Sequence, residues 1–278
     1  MNPKLNTIYI ISKGRPNCTT AQTLTKMNYP GDWFIVCGNN DETLPEYQRK
    51  WGEKVLIFDW YEQIKETDTL DNFGFENMPS GAAPVRNATR RISEERGEIR
   101  HWQFDDDYNS FYIKNPKTGR NIRLNGDLFY KYLNKIAEFA NNAKLNNVGF
   151  ALPLESLPST MLKFGQRVFN AHNLPNDEEL FTKWRGRLND DLINALETHK
   201  YGFYEMYFKF MTIQMKETQS EEGGLTDIYK QEGTVRKTAY AVLIAPNNTE
   251  LTIRYGRYHH KINWRTIIPK IIHEKYKT

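Results

Sequence analysis

The sequence has no run of about 18 apolar residues, the length a helix needs to cross a bilayer, so no membrane partner is expected. It holds only two cysteines, Cys18 and Cys37. They make neither a metal-type spacing nor a disulfide framework, and both are expected to stay reduced in a cytoplasm. The polar opening from Met1 to Thr7 has no charged segment followed by a long apolar stretch, so no secretory signal is read there. A Walker-type phosphate loop is missing, and so is a Gly-x-Gly-x-x-Gly turn. Those two absences weigh against kinases, ATPases and dehydrogenases. No internal repeat and no low-complexity tract interrupts the chain.

What remains is 278 residues, 39% apolar and 26% charged, ordinary for a folded α/β protein of one large domain or two small ones. The 16 Tyr and 15 Phe fill a core as readily as they make a sugar or base platform. Charge is uneven. Residues Ile228–Thr278 carry ten Lys/Arg and three Asp/Glu, a net +7, which leaves 28 against 31, a net −3, for the rest. A basic C-terminal stretch on a near-neutral body points to a polyanionic partner as readily as to a solvated face.

The first half alternates strand and helix signals. Apolar runs at Asn6–Ile11, Asp32–Cys37, Lys54–Trp60 and Arg100–Phe104 are separated by helical stretches at Thr19–Met27, Pro45–Trp51 and Pro84–Glu95. Short apolar strands alternating with helices predict βαβ units and a mostly parallel sheet. After Asp107 the pattern changes. A hairpin is expected over Tyr112–Leu124, helices over Leu128–Ala143 and Asn189–His199, and strands over Val148–Leu152 and Gly202–Gln214. Late strands or loops are expected over Thr234–Ile244 and Glu250–Tyr258. The polar stretch Thr218–Glu222 before Gly223-Gly224 reads as a mobile loop. The expected fold class is α/β, a Rossmann-like mixed sheet flanked by helices. Residues 1–110 form a nucleotide-binding half, and residues 111–278 an acceptor-facing half of the same domain.

The most informative segment is Trp102–Tyr108, WQFDDDY. An apolar strand rarely ends in three adjacent carboxylates, because their repulsion disfavours the ionised state unless a cation offsets it. In an extended segment Asp105 and Asp107 point one way and Asp106 the other. Two carboxylates at the carboxyl end of a parallel strand suit Mn²⁺ or Mg²⁺ with positions left for phosphate oxygens. The alternative is a solvated acidic turn. Ser12, Lys13, Gly14 and Arg15 directly follow the first strand and can offer backbone N–H groups, a hydroxyl and cations to a nucleotide. In the Pro84–Arg91 stretch, Arg86 and Arg90 share a helix face and suit a diphosphate or surface ion pairs.

The order of a strand, the SKGR loop, a strand closed by Gly38-Asn39-Asn40, a third strand, the PVRNATRR helix and then Asp105-Asp106-Asp107 resembles GT-A glycosyltransferases. The IYIISKGR opening together with FDDDYNSF is most similar to the phage glycosyltransferases associated with ten-eleven-translocation-type DNA oxygenases. That resemblance covers Ile8–Asp107 well and rests afterwards on two elements. It implies a UDP-sugar donor and a metal held by Asp105 and Asp107, with Asp106 near the ribose. The implied acceptor is 5-hydroxycytosine or 5-hydroxymethylcytosine in phage DNA, reached in the host cytoplasm. The transferred sugar would be glucose, GlcNAc or arabinose. In Arg185–Leu192, RGRLNDDL, it implies that Asp191 or Asp190 is the base of an inverting reaction, although Asn189 and Asp190 would also serve as a helix N-cap. In Arg257–Lys261 it implies that His259 or His260 is a further metal or diphosphate ligand, against a basic patch on DNA phosphates. Arg236, Lys237, Arg254, Arg257, Lys261 and Arg265 would contact those phosphates, and Tyr258 and Trp264 are stacking or core aromatics. A GT-A enzyme with a protein, lipid or polysaccharide acceptor and a nucleotidyltransferase are the alternatives.

Overall fold

The computed structural model describes residues 5–71, 74–77, 81–115, 117–151, 162–215, 235–254 and 256–267. Its elements run β1 (Ile8–Ile11), α1 (Thr19–Lys26), β2 (Trp33–Gly38), α2 (Leu44–Trp51), β3 (Val55–Phe58), α3 (Trp60–Lys65), α4 (Gly74–Asn77), α5 (Ala83–Glu95) and β4 (Arg100–Asp105). Then follow β5 (Tyr108–Lys114), β6 (Asn121–Arg123), α6 (Gly126–Asn142), β7 (Asn147–Ala151), β8 (Leu162–Phe164), β9 (Asn170–Pro175), α7 (Asp190–Lys200) and β10 (Glu205–Met215). The described chain closes with α8 (Val235–Ile244), β11 (Thr249–Arg254), β12 (Arg257–Ile262) and α9 (Trp264–Ile267).

One sheet carries the order β3-β2-β1-β4-β9-β7-β10-β5-β6, with β8 pairing β10. Strands β3, β2, β1 and β4 are parallel, joined by helices as the alternation predicts. Past β4 the sheet is mixed: β9 is antiparallel to both β4 and β7, while β10 runs parallel to β7 and antiparallel to β5. This is the α/β, Rossmann-like mixed sheet expected of a GT-A enzyme.

Burial on both faces explains the apolar runs. Ile8 and Ile10 join the core built with Leu24 of α1 and Phe129 and Leu133 of α6. Tyr9, between them, points to the opposite core with Trp60 and Ile64 of α3 and Ala88 of α5. Parallel strands end together, so the loops after β1, β2, β3 and β4 open on one edge, where α/β sheets take ligands.

Two expectations need correction. Thr234–Ile244, expected as strand or loop, is helix α8 from Val235 onward. Its small residue Ala241, with Ala245 just beyond, packs on Leu192 and Leu196 of α7, so tertiary burial outweighs the β-prone composition. Strand β9, NAHNLP, was not expected at all, yet every residue in it is buried. The Thr218–Glu222 loop and Gly223-Gly224 lie outside the described residues.

Candidate active site

In the parallel register Ile11 lies beside Asp105, which places the SKGR loop against the carboxylate cluster. Arg15 N–H donates to the Tyr47 hydroxyl at 2.9 Å, Tyr47 lies 2.6 Å from Ser12 Oγ, and Ser12 Oγ donates to Asp106 Oδ2 at 2.6 Å. With Ser12 committed to Asp106, Tyr47 donates to Ser12, giving one directed chain. Arg15 also pairs with Asp106 Oδ1 at 3.0 Å. Asp41 Oδ2 accepts from Gly14 N–H at 2.8 Å. Gly14 sits at φ +70°, which a side chain would strain. Lys13 lies 4.9 Å over the Trp60 ring, beside a cavity of about 480 Å³ that also takes in Asp41, Ile64 and Phe75. Burial lowers the Lys13 pKa, against the opposing pull of Asp41 and Glu42.

Strand β4 ends at Asp105, and Asp106 and Asp107 form a turn. The alternation expected for an extended DDD therefore does not apply. Thr20, at the start of α1, pins the turn: its hydroxyl donates to Asp105 O at 2.6 Å and accepts from Tyr108 N–H at 2.9 Å. The three carboxylates have different fates. Asp106 is buried and turned onto Ser12 and Arg15, so it holds the loop. Asp105 accepts from Arg86 at 3.2 Å and from the Tyr108 hydroxyl at 3.2 Å, and keeps about a third of its side chain exposed. Asp107 has a buried Oδ1 with no hydrogen-bond partner. Burial, then Asp105 and Asp106, push its carboxyl up to about 7. An orphaned carboxylate oxygen next to a second, half-open carboxylate fits a divalent cation.

Arg86 is the centre of the site. It is buried, its Nε donates to Asp190 Oδ2 at 2.8 Å, and its guanidinium stacks 4.7 Å from the Trp184 ring. Its Nη1 is buried without a partner. Burial opposes its charge, but Asp190 and Asp105 outweigh that and raise its pKa. Burial raises the Asp190 carboxyl, with Arg86 pulling the other way. Arg90 instead points to the Asn176 carbonyl at 2.7 Å.

Asn189 is the N-cap residue of α7, as expected, but it sits at φ +57° and makes no side-chain capping bond. Its amide donates to Lys237 O at 2.7 Å instead, tying α7 to α8. Asparagine tolerates this left-handed conformation better than most non-glycine residues. Asp191 pairs with Arg167 at 3.4 Å and keeps part of its carboxylate open.

Among the described residues no three His, Cys, Asp or Glu side chains converge as a metal-ligand set. His259 and His260 lie on β12. On β12 their neighbours face opposite ways, His259 opposite Thr252 and His260 opposite Leu251. His260 faces Arg167, Lys237 and Asp191, and burial, then Arg167 and Lys237, lower its pKa to about 4. The six expected phosphate-binding cations also divide. Arg254, Arg257, Lys261 and Arg265 are exposed on β11, β12 and α9. Arg236 and Lys237 are part-buried on α8. Burial lowers the Lys237 pKa, against the pull of Asp191, which places Lys237 at the acidic helix start instead of on an outer tail.

Sequence reasoning missed Tyr47, Asp41, Tyr108, Trp184 and Arg167. Trp184 adjoins the RGRLNDD segment and was within reach; nothing local marks Arg167.

The carboxylates at the end of β4 and the acidic start of α7 thus meet across Arg86. The chain belongs to the TET-associated glycosyltransferase family, whose sequence profile matches residues 6–224. No curated protein matches its sequence. Among solved structures it is similar to S. aureus TarS 1–349, at 12% identity and TM-score 0.40, covering 74% of this chain and 59% of that one. It is also similar to a putative nucleotide-diphospho-sugar transferase from Desulfovibrio desulfuricans G20, at 10% identity and TM-score 0.40, covering 88% and 95%. A third similar structure is GalNAc-T7 with UDP, GalNAc and Mn²⁺, at 8% identity and TM-score 0.45, covering 88% and 48%. The chain thus spans about three fifths of the TarS fragment. No described helix is long and apolar enough to cross a membrane.

Proposed function

We propose that this glycosyltransferase moves glucose, GlcNAc or arabinose from a UDP-sugar to the hydroxyl of 5-hydroxycytosine or 5-hydroxymethylcytosine in phage DNA, with inversion. The observation that carries the reading is the Arg86 bridge, which holds Asp105 on the donor side and Asp190 on the acceptor side within reach of one guanidinium. Residues 1–110 hold the donor and the remainder the acceptor. Asp105 and Asp107 would hold Mn²⁺ or Mg²⁺, which would supply charge neutralisation for the departing diphosphate. Ser12, Lys13 and Arg15 line the nucleotide side, with Asp106 fixing their loop. Asp191 takes the proton of the acceptor hydroxyl as its oxygen bonds to the anomeric carbon. The bond from that carbon to the diphosphate oxygen breaks, and UDP leaves with the electron pair. Arg254, Arg257, Lys261 and Arg265 face the DNA phosphates, so binding weakens with salt.

The test is mass spectrometry of duplex DNA carrying hydroxylated cytosine after incubation with the protein, a mixture of UDP-sugars and Mn²⁺ or Mg²⁺. A metal-dependent hexose or pentose mass on the modified nucleoside, absent with Asp107→Ala, is the expected result. UDP release without DNA modification removes the DNA acceptor and leaves the glycosyltransferase.

A further inference from the structure

A cavity of about 210 Å³ lies between α7, the segment leading into β9, and β12 with α9. Its walls include Gln166, Arg167, Phe169, Leu192, His260 and Trp264. Leu192 directly follows Asp191, and the wall residue Arg167 pairs with Asp191 at 3.4 Å. Arg167 therefore links the cavity wall to the carboxylate proposed as the base.

Its walls carry π surface. The Arg167 guanidinium lies 4.1 Å from the Phe169 ring centre. Trp264 is held edge-on to His199 at 5.5 Å. His260, its pKa lowered by burial and by Arg167 and Lys237, is a neutral imidazole at pH 7. It carries one donor and one acceptor, and Gln166 adds an amide with both. Aromatic faces combined with neutral polar edges match a planar heterocycle with its own hydrogen-bonding edge. The cavity, about 210 Å³, leaves room for one six-membered ring with its substituents.

The surrounding charge agrees. Arg254, Arg257, Lys261 and Arg265 are exposed on β11, β12 and α9, against the single Glu250, which pairs with Lys261 at 3.2 Å. On β12, His260 and Ile262 belong to the cavity face and Arg257 and Lys261 alternate away from it. One hairpin thus presents His260 and Ile262 to the cavity and carries its cations on the opposite face.

We infer that this cavity receives the acceptor base itself, a single pyrimidine extruded from a nucleic-acid strand, stacked by Phe169 and Trp264 with its hydroxyl turned to Asp191. The assignment rests on the proposal that the acceptor is a base in DNA. Extrusion costs stacking in the duplex, and the aromatic walls restore it. In this role His260 is an edge-reading group.

The test separates donor from acceptor. Phe169→Ala, Trp264→Ala and Trp264→Phe are compared with wild type for KM of the UDP-sugar and KM of a duplex carrying 5-hydroxymethylcytosine. Both alanine variants are expected to raise the KM for DNA about tenfold or more, as loss of a stacking platform does. Donor KM stays within about twofold, and Trp264→Phe recovers most of the loss, because a ring is restored. Wild type is also expected to bind a duplex mismatched at the target base more tightly than a matched one, a preference the alanine variants lose. Unchanged DNA KM in both alanine variants, or donor and DNA KM rising together, overturns the assignment. UDP release by wild type with no sugar on DNA overturns the acceptor reading, and this assignment falls with it.

Discussion

Arg86 and Asp190 stand 104 residues apart in sequence, and their buried side chains meet at 2.8 Å. The same guanidinium reaches Asp105 at 3.2 Å. One side chain therefore sets the spacing between the end of β4 and the start of α7. Arg86→Ala leaves two carboxylates facing each other without the cation between them, and the expected loss of stability is about 3–5 kcal/mol. Arg86→Lys keeps the charge but cannot fork to both partners, so it should fall between. Urea unfolding at pH 7 ranks the three proteins; a stable Arg86→Ala variant would show that the bridge is idle.

Asp107 offers the site's one orphaned carboxylate oxygen among the described residues. Mn²⁺ is expected to raise the melting temperature of the wild-type protein, with EDTA reversing it. A ligand at 100 times its Kd stabilises by about 2.7 kcal/mol. Asp107→Asn should show little or no shift. Equal shifts in both proteins would place the ion elsewhere.

Asp190 and Asp191 adjoin but should respond differently. Asp191→Asn is expected to lower kcat by about 10²- to 10⁴-fold, the usual worth of a general base, with donor KM near wild type. Asp190→Asn should act chiefly on stability, since it removes the partner of a buried arginine. Steady-state kinetics alongside thermal melts separates the two. A larger kcat loss in Asp190→Asn at unchanged stability would exchange their roles.

Glu205 is wholly buried in β10 and accepts from Val168 N–H at 3.0 Å and from Asn147 at 3.2 Å. Burial pushes its pKa up to about 8. The folded state thus favours the protonated acid. Its contribution to stability is complete below the unfolded value, about 4.3, and disappears as pH rises through about 8. Glu205→Gln should be less sensitive to pH over that window and more stable than wild type at pH 8.5. Denaturant titrations at pH 5, 7 and 8.5 measure this; parallel pH profiles would contradict it.

The parallel half was legible because its code is local. Strands β1 to β4 are short, apolar and buried on both faces, and each is followed by a loop whose composition marks the strand end. The DDD cluster stood out for the same reason: three carboxylates after an apolar strand are conspicuous without any knowledge of partners. Strand β9 was hidden because its burial is polar. Asn173 meets Arg100 at 2.8 Å and His172 meets Asn147 at 3.0 Å, and just beyond the strand Asn176 meets His101 at 2.8 Å. A strand satisfied by hydrogen bonds in the middle of a sheet reads as a loop when only its hydropathy is seen.

The division of labour at the site belongs to the same contrast. Residue type and order by themselves determined the α/β class, the strand-end loops and the acidic clusters, since each depends on neighbours a few residues away. Only the tertiary structure decided that Asp106 turns inward to Ser12 and Arg15 and that Asp107 keeps an unpaired oxygen. It also decided that His260 belongs with Arg167 and not with Asp105. Those outcomes depend on which surfaces pack across a hundred residues of chain, where a turn at Asp106-Asp107 or a single buried guanidinium sets distances that no local pattern records.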